Sequence, residues 1–123
     1  MATKPISKFT VQESNNLKVY ENYHSELLTL ATTYVEIDPA GDASNDNWVE
    51  NGDGPAKSIT IIPYVIDATD VITLTLDING TYGDEMVLEA QDFPLTIDKL
   101  LVNGLKMKSN EGVDEKFTIL SFH

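Results

Sequence analysis

The run from Asp70 to Ala90, DVITLTLDINGTYGDEMVLEA, constrains the fold more than any other part of the chain. Ile72, Leu74, Leu76 and Ile78 fall on one face of an extended backbone, and Val71, Thr73, Thr75 and Asp77 on the other. That period of two belongs to a strand and not to a helix. Asn79-Gly80 then supplies two residues that tolerate positive φ, as a tight hairpin turn requires, and EMVLEA returns as the partner strand.

The same period continues on both sides. KSITIIPYVI sets Ile59, Ile61 and Pro63 against Thr60, Ile62 and Tyr64, so both faces are partly apolar and the strand belongs inside a sandwich. Pro63 has no N–H to donate, which demands an edge position or a bulge. PLTI, KLLVNGLKMK and KFTILSFH read as further strands, separated by Asn103-Gly104 and SNEGVDE. Nearer the N-terminus, Leu28 to Ile37 is predicted as strand from its β-branched content, whereas residues 17–27 fit a short helix or another strand. Residues 1–16 read as an extended arm whose Phe9 and Val11 are suited to extend a sheet edge, in this subunit or a neighbour's. The expected fold is all-β: a single antiparallel β-sandwich or small barrel over 17–123, with the extended N-terminal arm before it. Its expected core is Ile59, Ile61, Ile72, Leu74, Leu76, Ile78, Val87, Ile97, Leu101, Ile119 and Leu120.

Composition narrows the function. A chain of 123 residues supports one core. Eight basic residues, all lysine, stand against 20 acidic ones, for a net charge of −12. Such a chain repels polyanions and has no arginine for bidentate phosphate or guanine recognition. Nucleic acid and anionic membrane are therefore not expected partners. With no cysteine there is no disulfide, thiolate metal site or thiol nucleophile. The opening MATKPISKFTVQESNN lacks the apolar core of a signal peptide, so the chain is expected to be made in a cytoplasm.

Residues 38–54, DPAGDASNDNWVENGDG, crowd acids and amides around the single tryptophan. Asp42, Ser44, Asp46, the Trp48 carbonyl, Glu50 and Asp53 fall at the ligand positions of a calcium loop. Asn47 occupies the position where that loop turns on glycine, and Asp53 replaces the bidentate glutamate. Asp42, Asp46, Glu50 and Asp53 are thus weak metal candidates, and no metal or other cofactor is expected. The expected structure is a long solvated connection at one end of the sandwich. Trp48 has two readings: an exposed anchor that inserts into a partner, or a lid folded back with its indole N–H bonded to a nearby carbonyl. The second is preferred.

No catalytic signature is present: there is no G-x-S-x-G, P-loop, H-E-x-x-H or G-x-G-x-x-G. His24, Ser25 and Glu26 are adjacent in sequence, which does not produce a nucleophile–base geometry. Asn79-Gly80-Thr81 matches a glycosylation acceptor but is explained by the turn. No catalytic residues are assigned and no enzyme activity is expected.

KSITIIPYVIDATDVITLTLDING followed by DFPLTIDKLLVNGLKMKSNEGVDEKFTILSF resembles the small β-sandwich structural proteins of tailed bacteriophages, in which a SITI strand, a PLTID segment and a closing TILSF strand recur. The resemblance covers a little over half the chain and excludes the acidic loop. It implies a non-enzymatic virion component, a capsid decoration or a head, neck or tail accessory. Other virion proteins would be its partners, and a homo-oligomer its assembly. Phe9, Val11 and Trp48 are the interface candidates from the residues themselves. The alternative is a calcium- or carbohydrate-binding β-sandwich module.

Overall fold

The computed structural model describes residue 20 and residues 22–38, 47–111 and 115–123. The arm, with Phe9 and Val11, and the acidic positions Asp42 and Asp46 lie outside the described residues.

Two antiparallel sheets face each other, one of them curled into a half-barrel, so the fold is the all-β sandwich expected. The strands are β1 (Tyr23–Thr29), β2 (Val35–Glu36), β3 (Ser58–Val65), β4 (Val71–Ile78), β5 (Thr81–Tyr82), β6 (Met86–Glu89), β7 (Leu95–Ile97), β8 (Gly104–Ser109) and β9 (Lys116–Phe122). One helical turn, α1 (Trp48–Asn51), lies between β2 and β3. The first sheet runs β1-β9-β3-β7, and the second runs β2-β8-β4-β5 with β6 also paired to β4.

The hairpin forms as its alternation dictates. Asn79 and Gly80 adopt φ of 58° and 86°, the left-handed pair of a type I′ turn. β4 turns Ile72, Leu74 and Leu76 inward against Leu105 and Met107 of β8. From the other sheet, Leu28, Ile59, Ile61, Phe117 and Ile119 close the core. Pro63 sits next to a register shift between Pro63 and Val65 in the β3–β9 ladder, so the bulge, not an edge, accommodates it.

Several expectations are corrected. Val87 is 67% exposed, because the hairpin register sets it opposite Thr73 on the outer face while Leu88 pairs with Ile72 inside. Leu101 is 58% exposed in the loop after β7, where Leu100, Lys57 and Lys99 also line a surface pocket. The KLLVNGLKMK segment becomes strand only from Gly104, and Val102 forms a single bridge to Ala56. Leu120 points outward from β9 and is half-buried, since its neighbours Ile119 and Ser121 take the inner face. Ile78 and Ile97 pack at the margin of the core.

The segment from Leu28 to Ile37 is not one strand but two, in different sheets. The Leu30 N–H bonds to the Glu115 carbonyl in the first sheet, and the Ala31 carbonyl accepts from Ser109 in the second. The chain turns its corner between those two bonds. Of the ambiguous stretch 17–27, the residues from Tyr23 onward are strand.

Candidate functional site

Trp48, the residue with two readings, is wholly buried. Asn47 caps the helical turn, accepting from the Glu50 N–H at 2.7 Å through its side chain, and Gly52 ends the turn at φ 95°. The Trp48 N–H donates to the Asn103 carbonyl at 2.9 Å, which binds the turn to the start of β8. Gly104 makes this approach possible: a Cβ there would lie 2.8 Å from the Asn47 Cβ. Asn103-Gly104 is therefore not a turn signal but the seat on which the helical turn rests. The exposed-anchor reading of Trp48 is corrected by this burial, and the expected solvated loop is, from Asn47 onward, a capped helical turn closing one end of the sandwich.

A polar cluster surrounds the indole. Its N–H donates to Glu26 Oε2 at 3.2 Å, a carboxylate in place of the expected carbonyl. Burial holds the Glu26 carboxyl above its ordinary value, opposed by the indole bond and by His24. His24 Nε2 lies 3.0 Å from Asp53 Oδ2, which also accepts from Asn51 Nδ2 at 2.5 Å. His24 and His123, from distant parts of the sequence, meet edge-to-face at 5.3 Å, and His123 stands 5.2 Å from the Trp48 ring.

His123 shows its tautomer by its partners. Nδ1 lies 2.9 Å from the Gly54 carbonyl, which can only accept, so Nδ1 carries the proton. Nε2 then accepts from the Ser121 hydroxyl at 2.9 Å. Burial pushes the imidazole below its ordinary value. A serine, an imidazole and an orienting oxygen are the parts of a nucleophilic dyad, but Ser121 has no exposed surface for a substrate to reach. The arrangement braces the C-terminal strand against the loop. Of the calcium-loop positions described, Glu50 is exposed on the helical turn and Asp53 is engaged by His24 and Asn51. Among the described residues no three His, Asp or Glu side chains are grouped to hold a metal ion. Sequence reading missed the meeting of the histidines, because nothing local signals a contact made through the β1–β9 pairing.

The two outer faces of the sandwich differ sharply. On the second sheet, Lys106 sits over the rings of Tyr34 and Tyr82, at 4.9 and 4.2 Å, and Lys108 over Tyr34 at 4.6 Å. Tyr34 donates to Glu85, Tyr82 donates to Glu36 at 2.5 Å, and Lys108 lies 3.7 Å from Glu85. Partial burial and the Glu85 carboxylate push the Tyr34 hydroxyl up to about 12. This face satisfies its own charges.

The first sheet presents a different surface. Cross-strand pairing sets Tyr23, Ser25, Leu27 and Thr29 of β1 beside Phe122, Leu120, Thr118 and Lys116 of β9, and Thr60 and Ile62 of β3 beyond them. Tyr20 stacks on Phe122 at 5.2 Å, and Tyr64 projects at 70% exposure next to the bulge. In a chain with 20 acidic residues, these strand positions carry no carboxylate and one lysine.

No known protein family, curated protein or solved structure matches this chain.

Proposed function

We propose that the protein is a non-enzymatic structural component that docks as a homo-oligomer on a larger protein lattice, and that the lattice is that of a bacteriophage virion. The observation that carries the docking reading is the outer face of the β1-β9-β3-β7 sheet, whose described strand positions on β1, β9 and β3 hold no carboxylate and a single lysine. Exposed apolar surface of this kind marks interaction sites, and charged side chains are depleted at interface centres. The net charge of −12 favours solubility and repels nucleic acid. The virion as the location rests on the sequence resemblance, with which a cysteine-free sandwich agrees.

The docking reading gives the first prediction. Ile62 and Tyr64 are exposed on the proposed face, so Ile62→Asp and Tyr64→Asp should each leave the folding stability within about 0.5 kcal/mol of wild type. Particle association should fall at least about tenfold, as expected when interface aromatics are replaced by charge. The measurement is co-sedimentation of each variant with assembled virions. Wild-type protein absent from particles would overturn the virion reading, and variants that bind like wild type would overturn the choice of face.

A further inference from the structure

We propose that β1 is a self-complementary edge that pairs antiparallel with β1 of a second copy, on a two-fold axis through Ser25. The inference rests on the homo-oligomer in the reading above but not on the virion.

The direction of each β1 backbone group follows from two bonds. The His123 N–H donates to the Asn22 carbonyl and the Leu30 N–H to the Glu115 carbonyl, both at 2.9 Å, and the register pairs Tyr23 with Phe122 through Thr29 with Lys116. Hydrogen-bonded and non-bonded pairs alternate in an antiparallel ladder. Asn22, His24, Glu26, Leu28 and Leu30 therefore turn their backbone groups toward β9. Tyr23, Ser25, Leu27 and Thr29 turn theirs away, to the edge on which no described residue forms a strand.

The other edges are guarded. β7 is three residues long and begins after Pro94, β2 and β5 are two residues each, and β6 is four. β1 offers seven residues without a proline, a lysine or a bulge, whereas natural edges carry such devices to prevent pairing. Its outward side chains at Tyr23, Ser25, Leu27 and Thr29 are all uncharged.

A second copy fits this edge through the order of its residues. Centred on Ser25, the segment Tyr23-His24-Ser25-Glu26-Leu27 reads as its own partner. Ser25 meets Ser25 of the second copy as a hydrogen-bonded pair. Tyr23 meets Leu27 on the outer face, an aromatic–aliphatic pair. His24 meets Glu26 on the inner side, an imidazole beside a carboxylate. Pairs of these types stabilise a ladder, and like charges opposite one another destabilise it. Moving the axis by one residue, to Glu26, would place two carboxylates face to face. Moving it to Leu27 would set Glu26 opposite Leu28. The register at Ser25 also continues the carboxylate-free outer face from one copy into the next, doubling the docking surface without bringing carboxylates together.

Sedimentation equilibrium should give the mass of two chains at micromolar concentration. Hydrogen exchange in that state should show the Tyr23, Ser25 and Leu27 amides protected together with His24, Glu26 and Leu28, which are bonded within the chain in any case. Leu27→Lys and Tyr23→Glu should each weaken the dimer at least tenfold while the fold melts normally. The double variant should recover it, because only this register places the two substituted positions opposite each other. A monomer whose Tyr23, Ser25 and Leu27 amides are nevertheless protected would mean that the chain covers its own edge, and would overturn the proposal. So would a monomer with those amides unprotected, or a dimer indifferent to both single substitutions. A double variant as weak as the single ones would overturn the register. A dimer that never associates with particles would leave the β1 pairing standing and remove only the virion reading.

Discussion

His123 and Glu26 both contact the Trp48 side chain and respond to acid in opposite directions. The folded His123 binds its proton less readily than the free imidazole value of 6.5, so the unfolded chain takes up more protons just below that pH. Its contribution to stability is complete above about 6.5 and is lost as pH falls from there through the folded value. Glu26 is held above 4.5, so its carboxylate costs stability at neutral pH, and that cost is relieved as pH falls through the raised folded value. In thermal melts across pH, His123→Gln should flatten the loss that begins near 6.5. Glu26→Gln, which keeps an oxygen acceptor for the indole, should melt higher than wild type at pH 7 and equal to it near pH 4. A wild-type curve unaffected by either substitution would remove both assignments. Gly104 is decided by space alone. Gly104→Ala should cost about 1–3 kcal/mol, the range for overpacking a close contact, measured by urea unfolding, since Asn47 must move off β8.

At the scale of elements, the β4–β6 register makes a two-sided prediction. Val87 faces solvent opposite Thr73, while Leu88 faces the core opposite Ile72. Val87→Lys should change stability by no more than about 0.5 kcal/mol, and Leu88→Lys should cost several times as much, because a partly buried position then receives a charge. A greater cost at Val87 than at Leu88 would mean that the strand has slipped by one residue, which reverses every side chain. β4 itself was legible in sequence, because its turn and its alternation are local. β1 and β2 were not separable, since the corner at Ala31 depends on which sheet takes each backbone group. The same holds for Leu120 and Leu101: an apolar residue near a strand reads as core until the register assigns its face.

For the molecule as a whole, the acidic segment from Asp38 to Gly54 bears on ligand binding as much as on shape. Asp53 is committed to His24 and Asn51, and Glu50 points from a helical turn. Calcium at millimolar concentration should therefore leave the calorimetric melting temperature unchanged, whereas a site for the ion would raise it by ligand linkage. A rise of several degrees that a chelator reverses would refute this. The contrast between the two outer faces also belongs to this scale. One sheet pairs its lysines with tyrosines and glutamates, and the other leaves tyrosine, leucine, isoleucine and phenylalanine facing outward without a carboxylate among them.

The amino-acid sequence by itself determined the antiparallel β class, the hairpin turn at Asn79-Gly80, the inward row Ile72, Leu74 and Leu76, and the absence of thiol chemistry. These depend on a residue and its near neighbours, where backbone sterics and side-chain period act directly. Only the tertiary structure decided that Trp48 is core, that Gly104 is a seat and not a turn, and that His24 meets His123. It alone also gathered the uncharged side chains of three strands onto one face. Each of these results from pairing between distant segments, and a linear pattern states which residues share a strand's face without stating which strands share a sheet.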